Sequence, residues 1–149
     1  MPADEALEVG AKAPGFELEG TGSAKLKLSD LLKKGPVALF FYPGDNTPGC
    51  NRQLSGVRDD QAAYRKHKVT TIGMNPAGMA SHEKYVAGFK FNFPLLSDAE
   101  RSAAKDYRAL KPDGKGIQRT VYLIGQDGRI LFSQRGMPAT EAILAPLGA

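Results

Sequence analysis

Cys50 is the single cysteine of this 149-residue chain, and its neighbours are of the kinds that make a thiol reactive. It closes the stretch Phe40-Phe41-Tyr42-Pro43-Gly44-Asp45-Asn46-Thr47-Pro48-Gly49-Cys50, where an apolar run gives way to a polar loop and then to the start of a helix. Thr47 is a favoured N-cap residue and Pro48 suits the first helical position. Cys50 then falls in the first turn, among backbone N–H groups that lack an intrahelical partner. Those donors and the positive end of the helix dipole favour a thiolate over a thiol. A lone cysteine is commonly a small buried apolar side chain, but a packing residue needs no cap, proline or glycine beside it. The chemistry indicated is nucleophilic attack by sulfur.

Such a thiol needs a scaffold, and the chain alternates strand and helix signals without repeats or a dividing linker. Phe16 to Leu18 and Lys25 to Leu28 flank Gly20-Thr21-Gly22 as an N-terminal β-hairpin, followed by a brief capped turn, Ser29 to Leu32. Val37-Ala38-Leu39-Phe40-Phe41 is an unbroken apolar run of the type that becomes a central strand covered on both faces. One long helix is predicted from Pro48 to about Lys66. Val69 to Met74 reads as a second, β-branched strand, and Ser81 as the cap of a helix through His82, Tyr85, Val86 and Phe89. Pro94 to Asp98 offers an extended piece and then a cap for Ala99 to Tyr107. Arg119 to Ile124 and Arg129 to Gln134 are strands around the hairpin signal Asp127-Gly128, and Pro138 to Leu147 is a last short helix. The fold class is α/β: a central mixed sheet flanked by helices, with parallel central strands and an antiparallel hairpin at one side.

The 149 residues, 42% of them apolar, suit one domain spanning 1–149. The net charge of +4 comes from 20 basic and 16 acidic residues, mostly interspersed, which argues against nucleic-acid binding. The basic run Arg65-Lys66-His67-Lys68 closes a predicted helix, where cations complement the dipole. The longest apolar run is strand-sized, so no membrane span is expected. One cysteine excludes an internal disulfide, and Met1-Pro2-Ala3-Asp4-Glu5 lacks the positive start and apolar stretch of a secretory leader. A cytoplasmic, reducing setting is expected. His67 and His82 with one cysteine match no metal-ligand spacing, and Gly20-Thr21-Gly22 lacks the setting of a nucleotide fingerprint, so neither metal nor cofactor is expected.

The spacing of Pro43, Thr47 and Cys50 resembles the peroxiredoxin signature: proline, three residues, threonine, two residues, cysteine. Phe41-Tyr42-Pro43 with Asp45, Thr47, Pro48, Gly49 and Cys50 is similar to the peroxiredoxin Q, or bacterioferritin comigratory protein, subgroup. Leu7 to Gly10, Ala13-Pro14, Leu28 to Leu31, Arg58-Asp59, Ser81-His82, Phe93 to Asp98, Arg119-Thr120 and Asp127-Gly128 resemble its other landmarks in order. The resemblance implies a thioredoxin-like fold and a thiol-dependent peroxidase acting on hydrogen peroxide and alkyl hydroperoxides, and it leans towards a monomer.

Peroxide reduction by a thiol is an in-line displacement: sulfur attacks one oxygen while the other departs, leaving a sulfenic acid. It requires a thiolate and donors for the oxygens. The first-turn N–H groups around Gly49 and Cys50 are candidate peroxide-binding donors. The Thr47 hydroxyl can orient the attacked oxygen, or can simply cap the helix, and one side chain can do both. Pro43 can hold the loop over the thiol or merely end the strand. Arg119 precedes a strand that a parallel sheet would bring to the same edge as Cys50. An arginine there is ordinarily a surface cation, but the resemblance makes it the residue that stabilises thiolate and leaving oxygen.

Two departures from the subgroup matter. The position five after Cys50, where a resolving cysteine often stands, is Ser55, and the other usual place offers only Ala80, Ser81, His82 and Lys84. With no resolving thiol, the mechanism is one-cysteine, and an external thiol (thioredoxin, glutaredoxin or a small thiol) is the reductant. Gln53 replaces a glutamate and offers Arg119 or Arg58 only neutral hydrogen bonds. Arg58 has an ordinary alternative, a surface salt bridge to Asp59 or Asp60. A thiol-disulfide oxidoreductase would need cysteine where Thr47 stands. A peroxide-sensing protein would use the same thiol without efficient turnover, and a structural domain would be indifferent to Cys50.

Overall fold

The computed structural model describes residues 5–148, so Met1 to Asp4, part of the stretch read for a leader, lie outside the described residues. Its strands are Glu17–Gly20 (β1), Ala24–Lys27 (β2), Val37–Phe41 (β3), Thr70–Asn75 (β4), Leu95–Ser97 (β5), Thr120–Ile124 (β6) and Ile130–Arg135 (β7). They form one sheet in the order β2-β1-β5-β4-β3-β6-β7. No residue of β3 is more than 1% exposed. Successive side chains of a strand point to opposite faces, so Val37, Leu39 and Phe41 enter one core with Ile72, Met74 and Tyr107. Ala38 and Phe40, continued by Tyr42, enter the other with Cys50, Leu54, Tyr64 and Tyr85. A strand covered on both faces must be apolar throughout, and each fully buried Leu or Phe contributes about 1.5–3 kcal/mol.

Among the described residues six α-helices cover the sheet: Leu28–Leu32 (α1), Pro48–Asp59 (α2), Gln61–Lys66 (α3), Met79–Phe89 (α4), Ser102–Asp106 (α5) and Thr140–Leu144 (α6). Leu28 and Leu31 of α1 and Ala103 and Ala104 of α5 pack on the first face. Residues of α2, α3, α4 and α6 share the second face with Cys50.

The mixed sheet matches expectation, with β3, β4 and β5 parallel and β6 and β7 antiparallel. The pairing of β3 with β6 differs from it. These strands are antiparallel, and their register sets Phe41 opposite Thr120. Arg119 therefore reaches the Cys50 loop from the N-terminal end of an antiparallel strand, where the sequence reading placed it at the shared edge of a parallel sheet.

Other differences have local causes. The helix expected from Pro48 to Lys66 is two helices, broken at Asp60 (φ −95°), whose carboxylate accepts a hydrogen bond from Thr140 Oγ1 at 2.6 Å and so ties the break to α6. Ser81 is not a cap: Gly78 holds that position, and the Ser81 hydroxyl turns to Asp45. Asp98 does serve a helix start, but α5 begins later than expected, because Arg101 adopts a left-handed φ of 61° first. Its carboxylate then accepts from the N–H groups of Ala103 and Ala104 at 3.1 and 2.8 Å. The tail helix ends at Leu144 and tightens into a 3₁₀ turn, Ala145–Leu147, where Pro146 has no N–H for the α-helical ladder. Among the described residues no helix is long and apolar enough to cross a membrane.

Candidate active site

The loop leaving β3 sets up the site. Asn46 takes a positive φ of 57°, a conformation asparagine tolerates better than most residues, and this turns the chain into α2. Thr47 has the extended backbone of an N-cap (φ −106°, ψ 149°) and Pro48 follows at the first helical position, as expected. The Asn51 N–H donates to the Thr47 carbonyl at 2.7 Å and begins the helical ladder. The Thr47 side chain departs from expectation: it makes no cap bond, and its hydroxyl donates to the Gly44 carbonyl at 3.4 Å. The hydroxyl is therefore not committed to the first-turn amides, and Thr47 and Pro43 are both exposed in the loop that leads to the cysteine.

Cys50 is 0% exposed. Its sulfur accepts a hydrogen bond from Arg119 Nη2 at 3.4 Å, while Arg119 Nη1 donates to Gln53 Oε1 at 2.7 Å. The planar guanidinium thus spans one turn of α2, holding the sulfur with one nitrogen and the amide oxygen with the other. Gln53 fills the orienting place with a neutral acceptor. Gly49 completes the fit, because a Cβ there would lie 3.1 Å from Arg119 Nη2. Cys50, Arg119 and Gly49 come together, with Thr47 and Pro43 in the same loop.

The other residues singled out lie elsewhere. Arg58 donates from Nε to Asp59 Oδ1 at 2.9 Å and from Nη1 to the Phe89 carbonyl at 2.6 Å, so it joins α2 to the end of α4 and leaves the cysteine alone. Ser55 sits half-buried on α2. His82 has both ring nitrogens engaged, by Asp45 Oδ2 at 2.7 Å and the Leu96 carbonyl at 3.0 Å, and has none left for a metal.

The sequence reading assigned no role to Asp45, Asn51 or Tyr85, which surround the cysteine loop. Tyr85 Oη donates to Asn51 Oδ1 at 2.7 Å, and Asn51 Nδ2 donates to Asn46 Oδ1 at 3.2 Å. Asp45 accepts from Tyr42, Asn75, Ser81 and His82. A carboxylate in an otherwise neutral turn was the one available signal. Burial pushes the Tyr42 and Tyr85 hydroxyls well above the ordinary phenol range, so both serve as donors. Burial also pushes the Asp45 carboxyl up, but hydrogen bonds from His82, Ser81 and Tyr42 outweigh it and hold the group below the usual carboxylate range.

That depression makes a stability prediction. A carboxylate with a lowered folded-state pKa stabilises the fold above its unfolded value and loses that stabilisation as pH falls through the folded value. Denaturant midpoints measured from neutral pH down to below about pH 4 are therefore expected to fall more steeply in the parent than in Asp45→Asn. Parallel curves would remove Asp45 from the acid response.

Comparison with known proteins gives the same picture. Residues 9–133 match the model of the AhpC/TSA family. Peroxiredoxin Bcp of Bacillus subtilis is 32% identical over 147 residues, covering 95% of this chain and 93% of that protein. The 1-Cys peroxiredoxin PER1 of Triticum aestivum is 30% identical over 139 residues, covering 85% of this chain and 63% of that one. The crystal structure of peroxidoxin BcpB from Mycobacterium tuberculosis superposes with a TM-score of 0.86 at 29% identity, covering 95% of this chain and 96% of that one. A cysteine-to-serine variant of Xylella fastidiosa PrxQ gives 0.82 at 27% identity, with 90% of each chain covered. The fold is therefore thioredoxin-like, and the chain belongs to the AhpC/TSA family as a peroxiredoxin of the Q, or bacterioferritin comigratory protein, kind, a thiol-dependent peroxidase.

Proposed function

We propose that the chain works as a single domain in which Cys50 reduces hydrogen peroxide and alkyl hydroperoxides by a one-cysteine mechanism, with an external thiol as reductant. The observation that carries this reading is the Arg119 guanidinium bonded to the Cys50 sulfur at 3.4 Å. The thiolate attacks one peroxide oxygen, the O–O bond breaks, and the other oxygen leaves as hydroxide or alkoxide and takes up a proton. Arg119 faces the charge that develops there, and the first-turn N–H groups of Gly49 and Cys50 receive the oxygens. Cys50 is left as a sulfenic acid. The chain has no second cysteine, so an incoming thiol attacks that sulfur, water departs, and a second thiol releases the mixed disulfide.

Because Cys50 is 0% exposed, a hydrogen peroxide molecule, close to water in size, meets the sulfur only when its surroundings, in this reading the loop of Pro43 and Thr47, move aside. The reductant needs a larger displacement of the same loop. Thioredoxin, glutaredoxin and a small thiol are the candidates, and the setting that fits them is the reducing cytoplasm, with the chain acting as a monomer.

The experiment is intact mass of the reduced protein after one equivalent of hydrogen peroxide with a sulfenic-acid trap, followed by turnover with each reductant. Rapid trapping at Cys50 with catalytic recycling is expected. Trapping without recycling by any thiol system would leave a peroxide sensor in place of the enzyme cycle, and no trapping would remove Cys50 as the reacting sulfur.

Thr47 supplies a cleaner test than a capping residue ordinarily allows. Its hydroxyl makes no cap bond, so Thr47→Val should leave the unfolding midpoint nearly unchanged and slow peroxide oxidation of Cys50 at least tenfold. Full activity in Thr47→Val would remove its catalytic role.

A further inference from the structure

The peroxide chemistry above makes no use of a buried ion pair next to it. His82 on α4 is 0% exposed and the side chain of Asp45, in the loop between β3 and α2, is 7% exposed. Four donors converge on the Asp45 carboxylate: Tyr42 Oη at 2.7 Å and Asn75 Nδ2 at 3.2 Å on Oδ1, and Ser81 Oγ and His82 Nδ1, each at 2.7 Å, on Oδ2. An ionised carboxylate only accepts, so the hydrogen between His82 and Asp45 belongs to Nδ1. The other ring nitrogen, Nε2, lies 3.0 Å from the Leu96 carbonyl oxygen, which also only accepts. Both ring nitrogens therefore face acceptors, the arrangement that suits a ring carrying hydrogen on each and paired with the carboxylate.

Burying two charges is costly even when they are paired, and apolar residues of similar volume often replace such a pair without loss of stability. A pair in this place instead fixes geometry. His82 is anchored to β5 through Leu96, and Asp45 lies in the loop that leads through Thr47 to Cys50 in the first turn of α2. On the far side of Cys50 the same helix grips the chain again, through Tyr85 and Asn51. We propose that the His82–Asp45 ion pair is a positioning element of the peroxidase site, holding the β3–α2 loop so that the Cys50 sulfur meets the Arg119 guanidinium. The inference rests on Cys50 as the reacting sulfur.

The test compares the parent with Asp45→Asn, His82→Gln and the double variant. For each, the rate of Cys50 oxidation by hydrogen peroxide is read by sulfenic-acid trapping, and the rate of Cys50 alkylation by a neutral reagent is read alongside. Simple loosening of the fold changes access to the sulfur and moves both rates together. Loss of positioning lowers peroxide oxidation at least tenfold relative to alkylation. The double variant is expected to be no slower than the slower single one, because the two residues act as a unit. A folded single variant with the parental ratio of rates, or a double variant whose loss is the product of the two single losses, overturns the proposal. Where a single variant strands a buried charge and does not fold, nitrogen NMR of the parent decides. The chain has two histidines, and a His67→Gln variant assigns their signals. Two protonated ring nitrogens on His82 at neutral pH support the pair, and one bare nitrogen overturns it. A parent whose Cys50 is not oxidised by peroxide is a different failure, that of the reading on which the inference rests.

Discussion

Cys50→Ser is expected to reduce peroxide turnover to the uncatalysed background while leaving the protein folded. The loss is complete because the reaction passes through an oxidised sulfur, and a serine hydroxyl is neither ionised at neutral pH nor able to form a sulfenic acid. The fold survives because the substitution exchanges sulfur for a smaller oxygen at one buried site, beside an Arg119 nitrogen that can still donate to it. The neighbouring packing residues Leu54 and Val57 are untouched, and the unfolding midpoint should stay within about 2–4 °C of the parent, the shift that corresponds to roughly 1 kcal/mol in a domain of this size. Peroxide consumption with thioredoxin, glutaredoxin and a small thiol as alternative reductants measures the first effect, and thermal unfolding the second. Residual turnover above background in Cys50→Ser would mean that another group carries the chemistry.

The parts of this site that could be read from sequence are those whose causes are local. Val37 to Phe41 declared itself because a strand buried on both faces admits no polar residue, and all five of its side chains are buried. Thr47 and Pro48 marked the start of α2 because cap and first-turn preferences belong to single positions. What stayed hidden depends on contacts between distant residues. The Asp60 break answers to Thr140, 80 residues away, and the Asp45 pair answers to His82, 37 residues away. Neither leaves a trace in local periodicity. Thr47 shows the limit within a single residue: its type gave its position, while its hydroxyl turned to Gly44 in place of the amides it could have capped. Arg119 is the mixed case. Its neighbourhood to Cys50, 69 residues earlier, followed from resemblance, but the geometric reason first attached to it, a shared edge of parallel strands, is not the one the sheet uses. The antiparallel register of β3 and β6 does that work by setting Thr120 against Phe41.

That register makes Arg119→Ala the second large expected effect: a fall of at least tenfold in the rate at which hydrogen peroxide oxidises Cys50, equivalent to about 1.4 kcal/mol or more of lost transition-state stabilisation. Alanine would remove the donor at 3.4 Å from the sulfur and leave Gln53 without its partner at 2.7 Å. Arg119→Lys separates charge from shape. A lysine ammonium carries the same charge as a compact group on a flexible stem, whereas the guanidinium reaches sulfur and amide oxygen together through a rigid fork. Lysine is therefore expected to recover only part of the rate. Recovery to the parental value would mean that positive charge alone is required and the fork is incidental. A near-parental rate in Arg119→Ala would show that the contact seen at the sulfur does not act in the reaction, and the electrostatic role would then pass to the first-turn N–H groups of α2 alone. Pre-steady-state oxidation of Cys50 reads all three variants on one scale, free of the reductant step, so a slower thiol exchange cannot be mistaken for slower attack on peroxide.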